Sequence, residues 1–65
     1  MSLAKVIEVL AEGDSVEAAV ENAVAEASKT VKNIRSAYLN DVQAIVRDGT
    51  VVKYRVNVNL TFVIE

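Results

Sequence analysis

The closing segment of the chain constrains the fold most. Apolar residues occupy every second position from Val52 to Ile64. The positions between them carry the polar side chains Lys53, Arg55, Asn57, Asn59 and Thr61, and only Val63 departs from the pattern. Because successive side chains of a strand point to opposite faces, this alternation predicts a long β-strand with one apolar and one polar face. Such a strand requires a sheet and a second layer that covers the apolar face.

The first half of the chain predicts a strand followed by a helix. β-branched residues alternate from Leu3 to Ala11, which predicts a strand covered on both faces. From Ser15 to about Asn33 the apolar period changes to 3.6, which predicts an amphipathic helix. Its apolar stripe consists of Val16, Ala19, Val20, Ala23, Val24, Ala27 and Val31. We expect Asp14 to cap this helix, with Glu17 reaching back to form a capping box and Gly13 giving the backbone freedom before the cap.

The second half predicts a hairpin. The pair Asp48-Gly49 lies between two β-rich segments and suits a type I′ turn. The segment from about Ile34 to Val46 alternates poorly, which indicates a strand whose register is reset by a bulge or bend. The predicted order is therefore β-α-β-β. This is an α+β fold with one helix packed on a three-stranded antiparallel sheet, and we expect residues 1–65 to form a single domain.

Composition excludes several classes of function. The 65 residues include no Cys and no His, which rules out thiol redox chemistry, Cys or His nucleophiles, tetrahedral zinc sites and imidazole acid–base catalysis. The serine and threonine hydroxyls have no evident activating base, so we do not expect an enzyme. So short a chain buries a small core, and strands of about 13 residues outrun their own helix. Both observations favour self-association into a closed assembly.

Charge and hydropathy bear on partners and location. The net charge is −2 and the basic residues are scattered, so we expect no nucleic-acid partner. Apolar stretches are far shorter than the roughly 20 residues that span a bilayer, so we expect no membrane partner. The start Met-Ser-Leu-Ala-Lys lacks the apolar core of a signal peptide, and a cytoplasmic location is the expectation.

The acidic residues are weak candidates for a metal site. Glu17, Glu21 and Glu26 are metal ligands or an acid–base pair in one interpretation, and the solvated face of an amphipathic helix in the other, which is the commoner case. The acids around Gly13 lack the ligand spacing of a calcium loop, so they favour a helix cap over an ion site. Acids from different subunits can be pooled in an assembly, so the metal-binding residues stay unknown.

The polar face of the last strand is the most informative signal for a ligand site. Its two cations and two amides recur every second residue and can line a pocket or a lumen. The alternative is an ordinary solvated face, although Asn57 and Asn59 run against β propensity. Tyr54 has the parity of the apolar face and is expected to pack there. Tyr38 is a candidate for stacking on a planar ligand.

The whole chain resembles the dodecins. The likeness rests on Lys5-Val6-Ile7-Glu8-Val9, on Ser15-Val16-Glu17-Ala18-Ala19-Val20 with Ala23, Ala27 and Thr30, and on Tyr54-Arg55-Val56 with Phe62. The resemblance implies a β-α-β-β protein that assembles as a hollow homododecamer. It also implies binding of a small ligand without catalysis.

The resemblance places flavin-site positions where this chain has other residues. Flavin-binding dodecins stack the flavin on a Trp and hydrogen-bond it with a Gln; alignment puts Ser36 and Arg55 at those positions. The chain has no Trp. In Arg55 and in Asn33-Ile34-Arg35 it is similar to relatives described as calcium-binding. The expected site consists of Ser36, Tyr38, Arg55 and Asn57.

Three functions follow as alternatives. The first is a homododecameric protein that binds or stores a small ligand or ions, with flavin and calcium as possible ligands. The second is a flavin-binding dodecin with a remodelled site. The third is a structural assembly without a physiological ligand.

Overall fold

The computed structural model describes residues 3–64. Strand β1 spans Leu3–Gly13, helix α1 Val16–Ala27, strand β2 Ile34–Arg47 and strand β3 Thr50–Ile64. All three strands belong to one antiparallel sheet in the order β1-β3-β2, so β3 is central and pairs with both neighbours. The predicted α+β fold and the β-α-β-β order are confirmed.

The core lies where α1 crosses β1 and β3. Its fully buried side chains are Ala19, Ala23, Val56, Val58 and Leu60. The helix contributes small residues and β3 contributes large ones, which lets the helix axis approach the sheet closely. Around them pack the partly buried Ile7, Val9, Ala11, Val16, Val20, Val24, Ala27, Ile34 and Ala37. The stripe predicted for the helix therefore faces the core as far as Ala27.

The start of α1 differs from the prediction. Ser15, not Asp14, is the N-cap: its Oγ accepts a hydrogen bond from the backbone N–H of Ala18 at 3.0 Å. This is the usual reach from an N-cap to the third helical residue, and it leaves Glu17 one residue short of the capping-box position. Gly13 also has another role than the one expected. A Cβ at this position would lie 2.6 Å from the backbone nitrogen of Ala19, so only glycine lets β1 pass the helix start.

The end of α1 was predicted too late. The helix ends at Ala27, with Ser28 as C-cap, instead of continuing to Asn33. The chain tightens there, because the backbone N–H groups of Lys29 and Thr30 bond to the carbonyls three residues earlier. Asn33 has a positive φ of 63°, as expected of a residue that tolerates left-handed geometry. It holds the start of β2 against β3: Val63 donates its N–H to the Asn33 carbonyl at 3.1 Å.

The hairpin and the irregular strand are as predicted. Asp48 and Gly49 have φ of 52° and 75°, the two positive values that a type I′ turn requires. Pairing between β2 and β3 shifts register at three points: Ile34/Ser36, Leu39/Asp41 and Ile45/Val46. These bulges explain the poor alternation in the sequence of β2.

The helix covers a minor part of the sheet. Twelve helical residues extend about 18 Å, whereas the 15 residues of β3 extend about 50 Å. Beyond the helix, Leu39, Val42 and Val52 stay 39–49% exposed. The opposite face of β1 is open as well, with Val6 and Leu10 exposed by 57% and 67%. The expectation that β1 is covered on both faces is therefore wrong for the single chain, because the one helix lies on one side.

The helical part of residues 3–64 is too short and too polar to cross a membrane.

Candidate functional site

The face of the sheet opposite α1, here called the outer face, carries the candidate site. In β3 it displays the predicted polar positions Arg55, Asn57 and Asn59, which alternate with the buried Val56, Val58 and Leu60. Cross-strand partners share a face, so the register adds residues from both neighbouring strands. From β1 come Glu8, Leu10 and Glu12; from β2 come Tyr38, Asp41 and Gln43.

Glu12 joins two basic side chains of β3. It lies directly opposite Arg55, whose Nε and Nη2 both donate to Glu12 Oε2, at 2.8 and 2.7 Å. The other oxygen, Oε1, accepts from Lys53 Nζ at 2.9 Å. The hydrogen bond from Lys53, and then that from Arg55, lower the pKa of the Glu12 carboxyl below its ordinary value. At neutral pH this cluster therefore has one negative and two positive groups.

Glu12 also determines which edge of Arg55 is available. A guanidinium has five N–H donors, and Glu12 occupies the edge formed by Nε and Nη2. The edge formed by Nη1 and the second Nη2 hydrogen has no protein acceptor within residues 3–64. That edge is suited to a carbonyl or carboxylate oxygen of a ligand.

A second cluster consists of amides. Asn40 donates from Nδ2 to Asn57 Oδ1 at 3.1 Å and to Asn59 Oδ1 at 2.9 Å. Asn40 is the extra residue at the register shift between Leu39 and Asp41. Its side chain thus fastens the bulge of β2 to the central strand. The two bonds leave the Nδ2 groups of Asn57 and Asn59 as outward donors.

Between these clusters the outer face is concave. A depression of about 350 Å³ is lined by Leu10, Asp41, Val42, Gln43, Arg55 and Asn57. A neighbouring one of about 400 Å³ shares Leu10 and Arg55 and adds Ala11 and Glu12. Arg55 thus lies between the two, and the first depression has the size of a small-ligand pocket.

The four predicted site residues fall into two groups. Arg55 and Asn57 line the depression of about 350 Å³ together with Asp41 and Gln43. Tyr38 lies opposite Asn59 and is 70% exposed, and Ser36 lies opposite Thr61 near the other end of the sheet. Six residues of extended strand separate the rows of Arg55 and Ser36, a distance of about 20 Å. One chain therefore brings Arg55 and Asn57 together and does not bring Ser36 to them.

Sequence reasoning missed Glu12, Asn40, Asp41 and Gln43. Glu12 lies 43 positions before Arg55, and nothing in the spacing indicates their pairing. The faces of Asp41 and Gln43 depend on the bulge at Asn40, because a strand without it would turn the following residues to the opposite side. Asn40 itself gave a weak signal, because Asn is disfavoured in strands and Asn40 lies within the segment predicted as the second strand.

The acids of the helix do not form a site of their own in this chain. Glu26 pairs with Lys29 at 3.0 Å on the exposed surface. Within residues 3–64, no group of three acidic side chains is close enough to hold a metal ion.

Comparisons with known proteins agree with the fold. The family model described as Dodecin matches residues 3–65. A dodecin from Streptomyces coelicolor is 32% identical, with a TM-score of 0.91 over 98% of this chain and 93% of that one. A mutant of the Thermus thermophilus dodecin is 23% identical, with a TM-score of 0.91 over 100% of this chain and 97% of its own. A Streptomyces davaonensis dodecin is 20% identical, with a TM-score of 0.91 over 98% and 96%. No curated protein matches the chain.

Proposed function

Since this chain belongs to the dodecin family, we propose that it is a non-catalytic protein that assembles into a homododecamer and binds a small ligand on the outer face of its sheet. Family membership supports small-ligand binding and self-assembly. The proposed ligand position is supported by the depression lined by Arg55 and Asn57, two of the four site residues expected from the sequence.

The chemistry of the depression supports a planar or polar ligand. Arg55 offers one free guanidinium edge, Asn57 and Gln43 offer amides, and Leu10 offers an apolar wall. Such a mixture of one apolar wall and a few directed polar groups is typical of small-molecule sites. In an assembly, Ser36 and Tyr38 of a neighbouring copy would supply the remaining predicted positions. Tyr38 has the exposed aromatic ring that stacking requires.

The exposed apolar surface of the single chain favours assembly into a homododecamer. Leu39, Val42 and Val52 are exposed on the helix side of the sheet, and Val6 is exposed on the outer face. Neighbouring copies would cover both areas. The proposal includes the dodecamer, a single domain over residues 1–65 and storage of the bound ligand or ions. It also includes a cytoplasmic location.

Three measurements test it. Sedimentation equilibrium at micromolar concentration should give a mass near twelve times 7.0 kDa, about 84 kDa, and a stable 7.0 kDa monomer would contradict the assembly. Fluorescence titration with riboflavin and FMN, and calorimetry with calcium after chelator treatment, should show saturable binding of at least one of them. Flat titrations in all three would favour a structural assembly without a ligand.

The variant Arg55→Leu connects any binding to the proposed position. We expect at least a tenfold loss of affinity, because a good charge-assisted hydrogen bond contributes about 1.5–3 kcal/mol. Arg47→Leu is the matched control, since Arg47 is exposed at the end of β2 and lines none of the depressions around Arg55. Equal losses in both variants would place the ligand elsewhere.

A further inference from the structure

The depression at Arg55 holds a carboxylate as well as a cation. Asp41 lines it together with Arg55: Asp41 lies in β2, opposite Asn57, and Arg55 lies in β3. No hydrogen bond or ion pair occupies the Asp41 carboxylate within residues 3–64. Arg55, by contrast, is held by Glu12 at 2.7 Å. The free acid and the restrained cation therefore face the same space from different sides.

The bulge at Asn40 is the reason that Asp41 faces this space. Asn40 is held by Asn57 and Asn59, and Asp41 follows it opposite Asn57. If β2 paired regularly here, Asn40 would lie opposite Asn57, and Asp41 would lie opposite Val56 on the side of the helix. The clamp of three amides thus keeps a carboxylate on the ligand face.

Cations are not in excess around the depression. Lys53 and Arg55 are positive, and Glu12 and Asp41, in the same or neighbouring rows of the sheet face, are negative. Glu8, one row beyond Asn57 on the same face, adds a further negative charge. A site that binds a phosphate group typically has an excess of cationic side chains and free N–H donors around it. Here Asp41, which lines the depression, is free to accept a hydrogen bond and to repel an anion.

From this arrangement we propose that Asp41 makes the depression selective for uncharged or zwitterionic ligands over phosphate-bearing ones. The preferred ligand has an acceptor group for the free edge of Arg55 and an N–H or ammonium donor for Asp41. The inference rests on the proposed ligand position and names the charge class of ligand that the position accepts.

The test measures how the Asp41 carboxylate changes the affinity for phosphate. Inorganic phosphate is titrated into the assembled protein, and the Arg55 Nε–H signal is followed by NMR in wild type and in Asp41→Asn. We expect the dissociation constant for phosphate to fall roughly three- to tenfold in Asp41→Asn, and the difference to shrink at high salt. Asp48→Asn is the control: it removes the same charge at the hairpin turn, where Asn also tolerates the positive φ.

A matched pair of ligands provides the second arm. Riboflavin and FMN differ only in the phosphate, so the ratio of their affinities should shift toward FMN in Asp41→Asn and not in Asp48→Asn. Unchanged phosphate affinity in Asp41→Asn, or equal changes in the two variants, would overturn the inference even if ligands bind. If neither flavin binds any variant while the phosphate constants differ as expected, the selectivity stands and the flavin form of the proposed function fails.

Discussion

Glu12 is the residue whose ionisation has the clearest consequence for stability. Its pKa is lowered from an ordinary value of 4.5 by the hydrogen bonds from Lys53 and Arg55. A lowered folded-state pKa contributes stability above the unfolded-state pKa, and this contribution disappears as the pH falls through the folded-state value. The stabilisation is thus complete at neutral pH and is lost progressively below about pH 4.5.

We expect Glu12→Gln to reduce this dependence on pH. The variant should be less stable than wild type near neutral pH, and its free energy of unfolding should fall less steeply between about pH 5 and pH 3. Urea unfolding at each pH measures both quantities. Glu21→Gln on the exposed helix surface is the control. Identical pH profiles for wild type and Glu12→Gln would show that the cluster does not stabilise the fold.

Ser36 is the position at which the family resemblance makes a prediction about one side chain. A Ser offers no stacking surface, whereas a Trp at this exposed outer-face position would offer a large one. We expect Ser36→Trp to create or strengthen flavin binding, measured by quenching of riboflavin fluorescence. Ser36→Leu separates stacking from general apolarity. Lack of any gain in Ser36→Trp would indicate that Arg55 or the surrounding strands block the flavin.

At the scale of elements, the two glycines serve different purposes. A Cβ at Gly13 would meet the helix backbone at 2.6–3.0 Å, whereas a Cβ at Gly49 would meet nothing within 4 Å but would sit at a φ of 75°. We therefore expect Gly13→Ala to cost about 1–3 kcal/mol or more through displacement of the helix start. Gly49→Ala should cost about 1–2 kcal/mol through backbone strain alone.

Denaturant unfolding of the two variants distinguishes these causes. Hydrogen exchange should accelerate in α1 of Gly13→Ala and stay unchanged there in Gly49→Ala, because only the first substitution disturbs the contact between β1 and the helix. Equal protection of α1 in both variants would mean that the helix start adjusts without loss.

At the scale of the whole molecule, the shape of the chain determines what must cover it. The described residues extend 52 × 20 × 13 Å, and the helix covers only one part of that length. Val42 pairs with the buried Val56 yet is 49% exposed itself. Apolar side chains of this kind on a sheet face are typical of subunit interfaces.

We expect Val42→Lys to weaken the assembly, because each interface would have to desolvate an unpaired ammonium group. Sedimentation velocity should show a species smaller than wild type at the same protein concentration. Thr50→Lys adds the same charge at the exposed hairpin end and is the control. A Val42→Lys protein that sediments like wild type would show that this part of the sheet is not in an interface.

The sequence by itself determined the order of the elements, the hairpin and the two faces of β3. These features depend on the spacing of neighbouring residues: alternation for a strand, a period of 3.6 for the helix, and Asp48-Gly49 for the turn. It also indicated the irregularity of β2, though not the position of Asn40 in it.

Only the tertiary structure decided the order β1-β3-β2, the contact of Glu12 with Arg55, and the side to which Asp41 points. The end of α1 at Ala27 and the cap at Ser15 also became clear only there. The physical reason is that cross-strand partners are set by register and bulges, which act between residues far apart in the chain. In a regularly paired strand, residue spacing indicates the face of each side chain. At a bulge the face, and everywhere the contact partner, depend on the pairing of the strands.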